Sequence, residues 1–135
     1  MRRNPQSSKR RKELLEKYDF LKPTEDNLME YGLCCDDGWL RLLEMTFKSI
    51  NFIVLRDNLD FEVIQVKQKL GGLRIYVGNA NDDIRKIIEI AEIEAERTCE
   101  VCGKPGTTHY FSWLIKTVCD ECAEIYERKV DDENE

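Results

Sequence analysis

Apolar positions recur at three- and four-residue steps in three stretches of this chain and at two-residue steps in a fourth. In KRRKELLEKYDFL, residues 9–21, Leu14, Leu15, Tyr18 and Leu21, with Phe20 beside them, form a narrow stripe on a charged surface. The pattern predicts a helix capped by Ser7 or Ser8 and ending before Pro23, with a short helical turn between Thr24 and Tyr31. In the second stretch Trp39, Leu42, Leu43, Thr46, Phe47, Ile50 and Val54 follow the i, i+3, i+4, i+7 template. They predict a helix from about Asp37 to about Leu55. Asp36 or Asp37 accepts its free amide hydrogens, and Trp39 reads as a core anchor.

The period then changes. Across DFEVIQVKQKLGGLRIYVGNA, β-branched and aromatic residues alternate with polar ones, predicting strands at about 61–69 and 73–77. Gly71-Gly72 divides them as a hairpin turn does. NDDIRKIIEIAEIEAERT returns to helical spacing, with Asn81 or Asp82 as cap and Ile84, Ile87, Ile88, Ala91 and Ala95 as the buried stripe. This helix runs into Cys99 without a linker. The fold class expected is α+β, with helices packed on a small antiparallel hairpin or sheet and a zinc-ribbon-like module near the C-terminus. Residues 1–12 read as a flexible basic arm, 13–98 as the body, 99–130 as a metal module packed on it, and 131–135 as an acidic tail.

The module is read from its cysteines. Cys99-x-x-Cys102, sixteen residues, then Cys119-x-x-Cys122 is the spacing of a four-thiolate zinc site. Each Cys-x-x-Cys loop sets two sulfurs on one edge of a tetrahedron, and Gly103 supplies the left-handed backbone such a knuckle needs. TTHYFSWLIKTV forms two short strands that return the chain to the second pair, which opens a helix whose first amides reach thiolate sulfur. Lys104 and Lys116 are placed to offset the site's negative charge. Four thiolates fill the coordination sphere, so the zinc, one per chain, is structural. A redox dithiol and a pair of disulfides are the rival readings. The first lacks its βαβ context, and the second does not suit a reducing compartment. His109, the single histidine, reads as a surface or packing residue, and adjacent Cys34 and Cys35 as small apolar residues before a helix.

Charge divides the chain. Residues 1–12 carry Arg2, Arg3, Lys9, Arg10, Arg11 and Lys12 with no acid, while the whole chain is −6. This is a basic arm on an acidic body. Lys67 and Lys69 share one face of their strand, and Arg74 and Tyr76 share one face of the next. If the register joins them, they make a basic, aromatic-bearing surface suited to a phosphate backbone. The bland alternative is the solvated face of a half-buried sheet. No phosphate-binding glycine loop, H-E-x-x-H or G-x-S-x-G is present, and Cys99-Glu100 lacks the deaminase spacing, so an enzyme is disfavoured. No apolar run approaches a membrane span, and no export signal precedes the six cysteines.

The order GW at 38–39, QVKQKLGGLRIYV at 65–77, an Ala/Glu-rich helix, CEVCGKPG at 99–106 and KTVCDEC at 116–122 resembles small uncharacterised proteins encoded by bacteriophages and prophages. The resemblance covers roughly residues 34–125. It implies zinc at Cys99, Cys102, Cys119 and Cys122 and a viral or prophage origin. In such proteins histidine stands at some last-ligand positions, where this chain has Cys122. The leading expectation is a non-enzymatic phage accessory protein in the bacterial cytoplasm that binds a host macromolecule, a protein first. The alternative is a nucleic-acid-binding zinc ribbon that holds DNA or RNA with the arm and the face of Lys67, Lys69, Arg74 and Tyr76.

Overall fold

Helix α1 spans Pro5–Lys17 in the computed structural model, which describes residues 5–134 and the side chains of residues 8–127. Ser7 and Ser8 therefore lie inside the helix and do not cap it. The helix also stops four residues before Leu21. Tyr18 is extended (φ −121°, ψ 133°), and a 3₁₀ turn follows at Asp19–Leu21. The break lets Tyr18, Phe20 and Leu21 all enter the core, which one helical face would not allow. Tyr18 stacks on Phe20 at 5.0 Å, and Phe20 meets Phe61 edge-on at 5.2 Å.

α1 also corrects the expected arm. Residues 5–12 are helical, and Arg11 is buried. Its guanidinium donates to the carbonyls of Leu33 (2.9 Å) and Cys35 and pairs with Asp37. Arg10 pairs with Glu44, and Lys9 lies 3.9 Å from Glu13. Only Lys12 of these four makes no ion pair among the described residues. A guanidinium with five donors on a rigid fork suits several acceptors at once, so the fold uses charge that the sequence offers to solvent. Arg2 and Arg3 lie outside the described residues.

Leu33–Cys34 form a two-residue strand, β1, too short to show any periodicity. After a 3₁₀ turn at Asp37–Trp39, α2 runs Leu40–Asp57 and buries Leu43, Phe47 and Ile50 completely. Neither Asp36 nor Asp37 caps it. Their carboxylates go to Lys116 and Arg11. β2 (Glu62–Lys69) and β3 (Gly72–Gly78) are antiparallel, and β1 joins β2 in parallel, giving the order β1-β2-β3. A bulge at Ile64 lets Val63 and Val66, three residues apart, both turn inward beside Leu73 and Ile75.

The turn between these strands is Leu70-Gly71, one residue earlier than the glycine pair suggests. Both have positive φ, 51° and 86°, as a two-residue hairpin turn requires. Gly72 instead pairs with Lys69 in the ladder. The inward set Val66, Leu73 and Ile75 decides this, since a one-residue slip would turn it outward.

α3 (Asp82–Ala95) is capped as expected, with Asn81 Oδ1 accepting from the Ile84 amide at 3.0 Å. It buries Ile84, Ile88, Ala91 and Ala95 and half-buries Ile87. Its Glu92 accepts from the Ile75 amide at 3.1 Å, so a helix side chain closes a backbone donor of edge strand β3. No helix among the described residues is long and apolar enough to cross a membrane.

Replacing Arg11 with alanine leaves two carbonyls and the Asp37 carboxylate without their partner. We expect a loss of about 3 kcal/mol, the cost of breaking a buried pair from one side. Lys12→Ala, on the exposed side of the same helix, shifts stability by under about 0.5 kcal/mol. Urea unfolding of the two variants checks this. Equal losses would restore the free arm.

Candidate metal centre and basic face

Four residues after Ala95, the last of α3, Cys99 opens the metal module. β4 (Thr107–Tyr110) and β5 (Ile115–Val118) form an antiparallel hairpin, and α4 (Asp120–Asn134) follows. The helix carries the chain through most of the acidic stretch. Gly103 has φ 83°, as the knuckle requires, and its amide donates to Cys99 O at 2.9 Å. The Cys99 amide in turn donates to Lys104 O at 2.7 Å.

The four sulfurs of Cys99, Cys102, Cys119 and Cys122 lie within 4.8 Å of one another, and Cys102 and Cys119 are 3.6 Å apart. A tetrahedron with metal–sulfur bonds of about 2.3 Å has edges of about 3.8 Å, so the cluster already has the dimensions of a metal cage. All four cysteines are free thiols. The Lys104 amide donates to Cys102 sulfur, and the Cys122 amide at the start of α4 donates to Cys119 sulfur. That second bond, against some loss of solvent, holds Cys119 down at about 7. Burial, and then the neighbouring thiols, push Cys102 and Cys122 upward. Crowded thiols that resist ionising together are what a dication stabilises as thiolates. Lys104, 3.5 Å from Glu121, has its pKa raised by that carboxylate and then by Cys102, and so stands beside the cage as expected.

Lys116 does not serve the cage. It meets Asp36 of the body (2.9 Å) and, within the module, the nearly fully buried Glu100 (3.2 Å). Burial pushes the Lys116 ammonium down, and Asp36 and Glu100 more than reverse this, leaving it raised. Its contribution is thus complete below the ordinary lysine value and is lost as pH climbs past it. Glu100 Oε2 accepts from the Asp36 amide at 2.9 Å, while Oε1 has the ammonium's charge but no hydrogen bond. Beside this pair the Gly38 amide donates to Glu100 O at 2.7 Å, and the buried Trp39 indole donates to Thr98 O at 2.8 Å. A Cβ on Gly38 would stand 2.2 Å from Cys99 O, so only glycine fits. The hairpin turn of the body is held too. Thr117 Oγ1 donates to Gly71 O at 2.7 Å, and Gln68 donates to Ile115 O at 3.1 Å.

The remaining candidates separate cleanly. His109 lies in β4 and stacks on Phe111 at 5.7 Å; the metal cluster contains only cysteines. Cys35 is buried, and burial pushes its thiol up to about 12. Cys34 is exposed on β1, which corrects its reading as a small apolar residue. On the sheet, Lys67 is directly opposite Arg74, Gln65 opposite Tyr76, and Lys69 opposite Gly72. The register therefore does join Lys67, Lys69, Arg74 and Tyr76 on one face, away from the core, with Cys34 beside Lys67. None of the three cations pairs with a carboxylate among the described residues, and Arg74 donates only to Leu73 O.

The sequence reading missed Gly38, Glu100 and the destination of Lys116. The one available signal was a glycine before Trp39 with no turn to make. No family model, curated protein or solved structure matches this chain.

The purified protein is expected to hold about one divalent metal per chain, by elemental analysis. Cys102→Ser or Cys119→Ser releases it and lowers the melting temperature, because metal binding is folding free energy. The Cys34→Ala, Cys35→Ala double variant keeps the metal. Loss of stoichiometric metal from the double variant would move the site. Gly38→Ala is expected to cost about 3 kcal/mol, the upper end for an overpacked interior, because its Cβ meets rigid backbone. An unchanged denaturation midpoint would refute that docking.

Proposed function

We propose that this chain is a non-enzymatic nucleic-acid-binding protein, stapled by one structural zinc ion and engaging the phosphate backbone through the outer face of its three-stranded sheet. The observation that carries this reading is the opposition of Lys67 and Arg74 across β2 and β3, with Lys69 next in line and none of the three in an ion pair with a carboxylate among the described residues. Like charges directly opposite one another destabilise a sheet. Their presence on a chain of net charge −6 argues for an anion that lies across them. Zinc is the ion that four thiolates in a tetrahedral cage fit best, and they leave no coordination position for catalysis. The resemblance of the motif order to phage and prophage proteins is the ground for expecting a bacterial cytoplasmic setting and a host macromolecule as partner.

A second reading, a protein partner, is favoured by Met45, Phe52 and Leu55, which stand exposed on α2 of an otherwise acidic body. These residues carry no charge to match a phosphate chain.

Titration with labelled oligonucleotides near 50 mM salt, where phosphate contacts still show, separates the two. Binding is expected to weaken steeply with added salt. Changing Lys67, Lys69 and Arg74 together to glutamine flattens the slope of log affinity against log salt by about 2, at about 0.7 per single-strand phosphate contact. The fold remains intact by circular dichroism. No binding to any oligonucleotide at low salt would leave the protein partner as the reading to pursue.

A further inference from the structure

We infer that this face selects single-stranded over duplex nucleic acid, by stacking an unpaired base on Tyr76. The inference rests on the nucleic-acid reading above and specifies its ligand. Tyr76 sits on edge strand β3, 40% exposed, and no aromatic ring packs against it among the described residues. Its hydroxyl makes no hydrogen bond there either. Tyr18, by contrast, is buried against Phe20. An aromatic ring carried on a strand and partly exposed, with no other ring against it, can serve as a stacking platform that accepts any base.

The neighbours of Tyr76 complete the site. Arg74 is two residues back on the same side, Lys67 lies opposite Arg74, and Lys69 continues toward the turn. The cations therefore run in line from the ring, over about 14 Å from Gln65 to Lys69 at strand spacing. A strand whose base stacks on Tyr76 lays its following phosphates along this track. Gln65 lies directly opposite Tyr76, half-buried, and its amide offers both donors and an acceptor to the edge of the stacked base. In a duplex the bases stack on each other and the ring has nothing to receive. Only the phosphate contacts would remain.

Fluorescence anisotropy with a single strand and a duplex of the same sequence, about 16 nucleotides long, tests this on the full metal-loaded chain. The single strand is expected to bind more tightly. Tyr76→Leu should weaken single-strand binding about five- to hundredfold, the worth of one base–aromatic stack, with the salt slope unchanged. Tyr76→Phe should retain affinity, as should Tyr110→Leu, which changes the exposed tyrosine of β4. Photocrosslinking of an iodouridine-containing strand to the wild-type chain needs no variant and should mark the peptide that holds Tyr76. Absence of binding to either form would overturn the nucleic-acid reading itself. Duplex binding as tight as single-strand binding would overturn only the present inference. An adduct confined to other peptides, or equal losses in Tyr76→Leu and Tyr110→Leu, would remove the platform from Tyr76.

Discussion

A single buried carboxylate ties this molecule together. Glu100 stands between Cys99 and Cys102 of the thiol cluster, only 2% exposed, and a charge so placed is costly unless it is paired. Its partners come from two directions, the ammonium of Lys116 on β5 and the amide of Asp36 ahead of α2. Satisfying Glu100 therefore sets the knuckle, the β4–β5 hairpin and the start of α2 in one arrangement. Gly38 and Trp39 close the same seam with backbone and indole hydrogen bonds. The thiolates decide the local shape of the module, and Glu100 decides where that shape sits on the body.

The parts of the fold legible in the sequence are those with one buried face. α2, α3 and the β2–β3 hairpin declare themselves because burying a face imposes a period. The metal cluster was legible because two Cys-x-x-Cys loops carry their geometry with them. What escaped depends on partners far away in the chain. Asp36 and Asp37 look like helix-start residues by local rules, yet a lysine eighty residues on and an arginine in α1 claim them. The two residues of β1 exist only because β2 lies alongside. Gly71 and Gly72 both tolerate a turn, and the distant packing of Val66, Leu73 and Ile75 chooses between registers.

Charge behaves in the same way. Six cations in the first twelve residues invite the picture of an arm, but Arg10 and Arg11 are engaged by the fold. Among the described residues, Lys67, Lys69 and Arg74, farther along on the outer sheet face, pair with no carboxylate, as does Lys12 on the exposed side of α1. Burial sorts charge into structural and available kinds, and neither net charge nor clustering along the chain anticipates the sorting.

The two ends of the sheet have a consequence for assembly. At one edge Arg11 holds the carbonyls that flank Cys34, and at the other Glu92 holds the Ile75 amide. A neighbouring copy that tried to extend the sheet would first have to displace a charged side chain from each of these bonds. Molecules gathered on a shared polymer would then sit side by side like beads, held by the polymer and not by one another. Occupancy should rise without cooperativity, and strand exchange at either end of this three-stranded sheet would begin by breaking one of these bonds.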